Sequence, residues 1–389
     1  VKHAAGREWL GKINHVAAPP NLIFAHRLCN SSTPASVFCA EVAQLAEHSP
    51  KQAGVDSSIR MGGDSLLILD SFPFVAQCSI GYPAVTFMNW HRVLRIVQNS
   101  TPSIPVRSLG KTGVTLPILG FGTAPAGSRL DTRDAVRLYE TAFREGITYF
   151  DTAPGYGKAQ IQLSYFLKQV RPQIFLVTKC YEPDGERALK MLEESLRGLG
   201  TTYADLVFVH SVGDDKMDPR IVFSKNGTYA ALMKAKTLGL TRFVGLSGHS
   251  RPSRFLHALR QFDIDVLLNA VNFVDRHTYN FEYQVWPAAA HENIGLIAMK
   301  VYGGGQRPTP KTLSHSRMPI EYHDMAFRYA LSQPQVCCAI IGIATHRELE
   351  ENVRRARMFQ PLSTGEAKRL HDAGALLARQ WTDHLGPQY

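Results

Sequence analysis

The segment Asp151-Thr-Ala-Pro-Gly-Tyr156-Gly closes a short apolar run, Ile147-Thr-Tyr-Phe150. Lys179 closes a second run at 174–178, and His210 closes a third at 206–209. An acid, a phenol, an amine and an imidazole thus follow three apolar runs in succession. Each alone has an ordinary reading: Asp151 as a helix cap, Tyr156 as a packed aromatic, Lys179 as surface charge, His210 as a satisfied core histidine. Together they form a proton-handling set. A free tyrosine titrates near about 10 and is a poor acid at neutral pH. A neighbouring ammonium stabilises phenolate and lowers that value. Lys179 can supply the ammonium, Asp151 can hold it charged, and His210 can donate a hydrogen bond to a substrate carbonyl. The set suits a carbonyl that receives hydride while Tyr156 delivers the proton.

Such convergence needs a scaffold, and the chain beyond about residue 106 supplies a regular one. Residues 106–116 read as a hairpin around 110–113. Apolar runs predict strands at 118–122, 147–150, 174–178, 206–209, 243–246, 266–268, 295–299 and 339–341. Between and after them, helical spacing predicts helices at 131–145, 161–170, 187–199, 229–238, 252–260, 283–291, 320–332 and 347–357. A last helix opens at Ser363, with Glu366 completing a capping box. The strands are continuously apolar, as parallel strands buried on both faces should be. Eight such units in about 250 residues favour an α/β fold of the closed (β/α)8 TIM-barrel type with an N-terminal β-hairpin cap. No Gly-x-Gly-x-x-Gly turn opens a helix, which argues against a Rossmann domain. In a (β/α)8 barrel, reacting groups project from the C-terminal strand ends. Neighbouring strands lie about 4.8 Å apart, so Asp151, Lys179 and His210 can meet there, with Tyr156 on the loop above.

Bulk properties narrow the alternatives. The chain has 389 residues, a formal net charge of +10 and 44% hydrophobic residues, enough for a large core. No Lys/Arg block reaches the length of a nucleic-acid patch, and the basic surplus suits an anionic cofactor or substrate. No apolar run is long enough to predict a membrane span. The six cysteines are scattered and Cys337-Cys338 are adjacent, which reads as reduced thiols in a cytoplasmic protein. No Cys/His group has zinc-ligand spacing, so no metal is expected.

Residues 1–105 differ from the rest. Between Pro19 and Ala46 the only charged side chains are Arg27 and Glu41, and no apolar period persists. A strand at 66–69 and a helix at 88–97 are the local candidates. A disordered leader, a targeting peptide and a spurious upstream extension of the reading frame all fit. The third is favoured, because residues 42–56 look like a conceptually translated transfer-RNA gene, with synthesis then beginning at Met61 or Met88. We expect an irregular extension over 1–105 and the barrel over 106–389.

From about Val106 onward the chain resembles the aldo-keto reductase superfamily. The likeness rests on Gly120-Phe-Gly-Thr123, Phe150-Asp-Thr-Ala-Pro-Gly-Tyr-Gly157, Val177-Thr-Lys179, Asp205-Leu-Val-Phe-Val-His210, Val244-Gly-Leu-Ser247 and Glu350-Glu-Asn352, in that order. It implies a (β/α)8 barrel that binds NADP(H) by preference, with NAD(H) as the other candidate. It implies an oxidoreductase interconverting an aldehyde, ketone or sugar lactone with its alcohol or hemiacetal. The substrate would be a small carbonyl or sugar, and the protein a monomer. It also carries the family's catalytic tetrad onto Asp151, Tyr156, Lys179 and His210. Thr123, Ser247 and Asn272 would lie at the nicotinamide, and Met299 would replace its usual stacking aromatic. Lys300, Val301 and Gly303 would approach the pyrophosphate. Gly342, Ile343, Thr345 and Arg347 would form a phosphate site at a helix start, with Glu351 and Asn352 on adenosine. Two departures stand out: Gly248 replaces a frequent asparagine, and Glu348 replaces an arginine that serves the 2′-phosphate, with Arg347 and His346 as neighbours that could compensate. Two other functions compete. One is an aldolase using Lys179 as a Schiff base; the other is a nicotinamide-binding regulatory subunit with little turnover.

Overall fold

The computed structural model describes residues 102–305 and 316–389, together with a short antiparallel pair, Met61–Gly62 and Ser65–Leu66. The chain divides between Pro102 and Ser103. Of the strand expected at 66–69 only Leu66 is described, and the helix expected at 88–97 lies outside the described residues, as do rim residues 306–315.

The second unit opens with the expected hairpin. Strand β1 (Val106–Ser108) pairs antiparallel with β2 (Thr115–Pro117) across a 3-10 turn at Gly110–Thr112. Eight parallel strands follow: β3 (Leu119–Gly122), β4 (Tyr149–Asp151), β5 (Phe175–Cys180), β6 (Ala204–Val209), β7 (Thr241–Gly248), β8 (Val266–Ala270), β9 (Gly295–Met299) and β10 (Val336–Gly342). They pair in chain order, and β10 returns beside β3 through Ala339↔Leu119 to Gly342↔Gly122, closing the barrel.

Two apolar layers hold it. Inside the barrel lie Tyr149, Phe175, Val177, Leu206, Phe208, Val266, Leu268, Ile297, Cys338 and Ile340. Leu109 and Leu116 of the hairpin join that cluster. Lys111 N–H donates to the Asn293 carbonyl at 2.6 Å, next to the start of β9, so the hairpin plugs the N-terminal mouth. The outer layer sits between strands and helices. There Phe121, Phe150 and Tyr139 pack as an aromatic cluster, with Phe121 and Phe150 stacked at 5.5 Å.

Helix boundaries follow local chemistry. Asp131 caps Thr132–Arg144 by accepting from Asp134 N–H at 2.8 Å. Asp184 does the same for Gly185–Leu199, which ends on left-handed Gly200. Ser363 and Glu366 form the expected capping box, and Arg328 grips Glu366 at 2.7 and 2.9 Å. Three differences from the expected elements stand out. The helix expected at 283–291 breaks into Phe281–Gln284 and Trp286–His291, where Pro287 cannot continue a hydrogen-bond ladder. The helix expected at 320–332 opens as a 3-10 turn, Ile320–Tyr322. A short helix, Ala124–Arg129, appears where no apolar stripe announced one. Among the described residues, no helix is long and apolar enough to cross a membrane.

Candidate active site

The strand period explains why the reacting groups meet. On β4, Tyr149 faces the barrel interior and Phe150 faces outward. Asp151 is the next inward position. On β5, Phe175 and Val177 face inward and Leu176 outward, which makes Lys179 the next inward position. On β6, Leu206 and Phe208 face inward and Val207 and Val209 outward, so His210 continues the inward series. The apolar alternation that fills the barrel thus aims three polar side chains at its C-terminal mouth.

Lys179 and Asp151 are buried, at 1% and 4% exposure, and form a direct ion pair through Asp151 Oδ1. The Lys179 ammonium also donates to the Thr152 carbonyl at 3.0 Å. It lies 4.8 Å from the centre of the Tyr156 ring. The His210 ring meets Tyr156 edge-on at 6.5 Å, and Tyr181 at 5.9 Å. Thr123 is fully buried beneath, its Oγ1 donating to the Asp151 carbonyl at 2.8 Å. Thr123 therefore holds the strand end in place.

Electrostatics corrects one sequence expectation. Burial pushes the Tyr156 hydroxyl above its ordinary range, and the Lys179 charge and hydrogen bond only partly offset this. Tyr156 thus stays protonated at neutral pH, the form needed to donate. Desolvation lowers the Lys179 pKa, but the charges of Asp151 and Tyr156 and its hydrogen bonds outweigh burial and raise it. Burial raises the Asp151 carboxyl against the pull of Lys179 and Lys300. His210 is pushed down to about 3, by burial first and then by the Lys179 and Lys300 charges, so it stays neutral.

The loop carrying Tyr156 is placed by the unforeseen helix Ala124–Arg129. Lys158 N–H donates to the Gly127 carbonyl at 2.9 Å. A Cβ at Gly127 would fall on the Tyr156 carbonyl and lie 2.6 Å from Ala159 Cβ. Gly157, left-handed at φ 57°, would put a Cβ 2.6 Å from the Gly127 carbonyl oxygen. Both contacts are with backbone, which cannot rotate away. Gly127→Val should therefore lower the unfolding free energy by about 1–3 kcal/mol. It should cut turnover on the order of a hundredfold by shifting Tyr156. Denaturant unfolding and turnover measure the two, and wild-type turnover would mean this contact does not place the phenol.

A cleft of about 860 Å³ starts at Asp151 and Tyr156 and runs past Lys300, Val301, Gly304 and Gly305 to Gly342, Arg347, Glu351 and Asn352. That volume is in the range of small-ligand sites, roughly 300–1,000 Å³. Its shape and donors fit an extended anionic dinucleotide: reacting groups at one end, glycine backbone and Lys300 midway, a helix start at the other. Lys300 is half-buried with its backbone left-handed at φ 55°. Its carbonyl is held by Gly303 N–H at 2.7 Å and Asn272 Nδ2 at 3.0 Å.

Other residues proposed for the cofactor take different positions. Asn272 spends all its hydrogen bonds within the protein, on Asp275 Oδ2, the Lys300 carbonyl, and the Val274 and Asp275 amides. It acts on the cleft only through Lys300. Ser247 and Ile343 are fully buried. Gly248 is filled by Phe255, whose ring would lie 2.7 Å from an added Cβ. Gly303 packs on Trp381 of the last helix, Thr364–Trp381. Thr345 caps helix His346–Arg357. His249, His323, Arg129, Tyr302 and Arg317, none of them a candidate from the sequence, also line the cleft. Tyr302 stacks on His323 at 4.2 Å and donates to Asn352 Oδ1 at 2.7 Å. Of these five, His249 follows the end of β7 and Tyr302 precedes the glycine-rich turn, whereas Arg129, Arg317 and His323 carried no sequence signal.

Comparison with known proteins agrees with this geometry. The model of the Aldo/keto reductase family matches residues 118–319. L-galactose dehydrogenase of Arabidopsis thaliana is 27% identical over 294 residues, covering 67% of this chain and 90% of that protein. Pyridoxal 4-dehydrogenase of Microbacterium luteolum is 24% identical over 318 residues, covering 64% and 91%. The crystal structure of the aldo-keto reductase PA4992 from Pseudomonas aeruginosa is 28% identical and covers 66% of this chain and 97% of its own, with a TM-score of 0.54. Closed barrel, converging strand ends and shared sequence lead to one conclusion: the chain belongs to the aldo/keto reductase family and is an NAD(P)(H)-dependent oxidoreductase of carbonyl and alcohol substrates.

Proposed function

We propose that this protein interconverts a small polar carbonyl compound and its alcohol, with a sugar hemiacetal and its lactone as the leading pair. Tyr156 is the general acid in reduction and the general base in oxidation. The observation that carries this is the buried Lys179–Asp151 pair set beneath the Tyr156 ring at the inner end of the cleft. The substrate class draws on two relatives, an L-galactose and a pyridoxal 4-dehydrogenase. Ala124, small at the cleft wall, leaves room for a ring.

A nicotinamide dinucleotide along the cleft supplies or removes hydride at the substrate carbon. The protein's own residues do the rest. Lys300, Val301, Gly304 and Gly305 receive the dinucleotide midway. His210, neutral, donates a hydrogen bond to the substrate oxygen and orients the carbonyl. Tyr156 hands its proton to that oxygen as it becomes an alkoxide, and Lys179 stabilises the phenolate left behind. Asp151 keeps Lys179 charged. The same ion pair opposes Schiff-base chemistry, which needs a neutral amine.

The pH dependence follows in sign. Reduction needs protonated Tyr156, whose pKa is raised, so its rate stays level through neutrality and falls only in strong alkali. Oxidation needs phenolate, so its rate climbs with pH across the alkaline range. His210, at about 3, contributes no step near its usual value. A pH–rate profile in both directions checks this; an inflection near pH 6.5 that vanished in His210→Gln would contradict it. The function itself is tested by incubating the protein with NAD or NADP and a panel of aldoses, aldehydes and alcohols. Growth of reduced-nicotinamide fluorescence with an aldose is expected. No turnover with either cofactor across the panel, in either direction, would refute the proposal.

A further inference from the structure

The far end of the cleft is set by helix His346–Arg357, whose Arg347, Glu348, Glu351, Asn352 and Arg355 line it. With the reactive ring of a dinucleotide at Tyr156, its adenosine end would lie along the cleft toward this helix start. A helix start ordinarily offers free backbone N–H groups and favours an anion. Here the anion is built in. Glu348 Oε2 accepts from Ala344 N–H at 2.8 Å and Thr345 N–H at 3.1 Å, and Thr345 Oγ1 accepts from Glu348 N–H at 3.1 Å. The nearby cations are matched as well: Arg347 Nε lies 3.0 Å from Glu351 Oε1, and Arg355 lies 3.7 Å from Glu351 Oε2. Arg347 is paired with Glu351 across one helical turn, on the exposed side of the helix.

Resting on the functional reading above, we infer that Glu348 makes this protein select NAD(H) over NADP(H), against the preference the family resemblance implies. The two cofactors differ by one phosphate on the adenosine ribose. At neutral pH that group carries more than one negative charge and needs donors. At this helix start it meets a carboxylate already bound to the amides, and like charges brought together in an interface are strongly disfavoured. The hydroxyl that NAD(H) carries there is a hydrogen-bond donor. Glu348 Oε1, which has no donor among the described residues, is an acceptor for it.

The test reads binding, not turnover. The full chain is titrated with NADH and NADPH by calorimetry, as wild type and as Glu348→Gln. Glutamine keeps an oxygen for the Ala344 and Thr345 amides but removes the charge, and a thermal melt confirms that the helix start survives. Wild type is expected to bind NADH on the order of a hundredfold tighter than NADPH. In Glu348→Gln, NADPH affinity should rise at least about tenfold, while NADH affinity should fall, because the amide nitrogen that replaces Oε1 cannot accept from the ribose hydroxyl. Wild type binding NADPH as tightly as NADH, or a variant that shifts both equally, overturns the inference and leaves the oxidoreductase reading standing. Binding of neither dinucleotide overturns both.

Discussion

Tyr156→Phe should lower turnover by about 10²–10⁴-fold while leaving the fold intact, because it deletes one oxygen at the cleft and keeps the ring. The Lys179 ammonium lies 4.8 Å and the His210 ring 6.5 Å from the centre of the ring, which phenylalanine keeps. The phenol also starts with a raised pKa, so its loss removes no charge from the resting protein. KM for the carbonyl substrate should move far less than kcat, since the proton moves only as the alkoxide forms. Steady-state kinetics on the pure variant, with circular dichroism for folding, measure both. Retention of more than about a tenth of wild-type kcat would transfer the proton-donor role to another group.

Lys179→Met should be nearly as costly to turnover and, unlike the tyrosine change, costly to stability. Its ammonium is the partner of a carboxylate that is itself almost wholly buried, and Asp151 Oδ2 already has no donor among the described residues. Breaking a buried pair from one side costs about 3–5 kcal/mol, because the remaining charge is stranded. The sign of the pH effect follows. Burial already raises the Asp151 carboxyl, and removing the ammonium that pulls it down raises it further. A carboxyl whose folded pKa lies above its unfolded one contributes stability fully below the unfolded value, lost as pH rises through the folded value. The Lys179→Met defect should therefore be largest at neutral and alkaline pH and shrink in mild acid. Asp151→Asn with Lys179→Met should recover part of the stability, though not the turnover. Urea unfolding across pH reads all three, and a pH-independent defect would mean that Asp151 is not the stranded charge.

Both predictions rest on residues legible in the chain before any coordinates. Three successive strands of the barrel are apolar runs that break to a polar residue at the C-terminal end, and the breaks at Asp151, Lys179 and His210 mark the candidate site. Strand–helix alternation and the capping box at Ser363 placed most elements to within a few residues. These signals are local, written in neighbours a few positions apart, so one chain suffices to read them. Parallel strands buried on both faces also leave few folds open to so regular a rhythm.

What only the tertiary structure decided depends on distances between remote segments. Asn272 looked like a ligand from its place after a strand, yet the Lys300 carbonyl, 28 positions on, claims it together with Asp275. Gly127 carried no reading in the sequence, and it is the surface on which the Tyr156 loop rests. Glu348 looked like a changed phosphate contact, and it is half of a capping box with Thr345 that fills the helix start. The balance of burial against charge at Tyr156 was likewise beyond the sequence. A pKa depends on how much water remains around a group, and that is known only once every neighbour is in place. Residue order thus determined the barrel and the four candidate side chains; packing decided which polar atoms stay free for a ligand, because a hydrogen bond is spent on whichever partner the fold brings nearest.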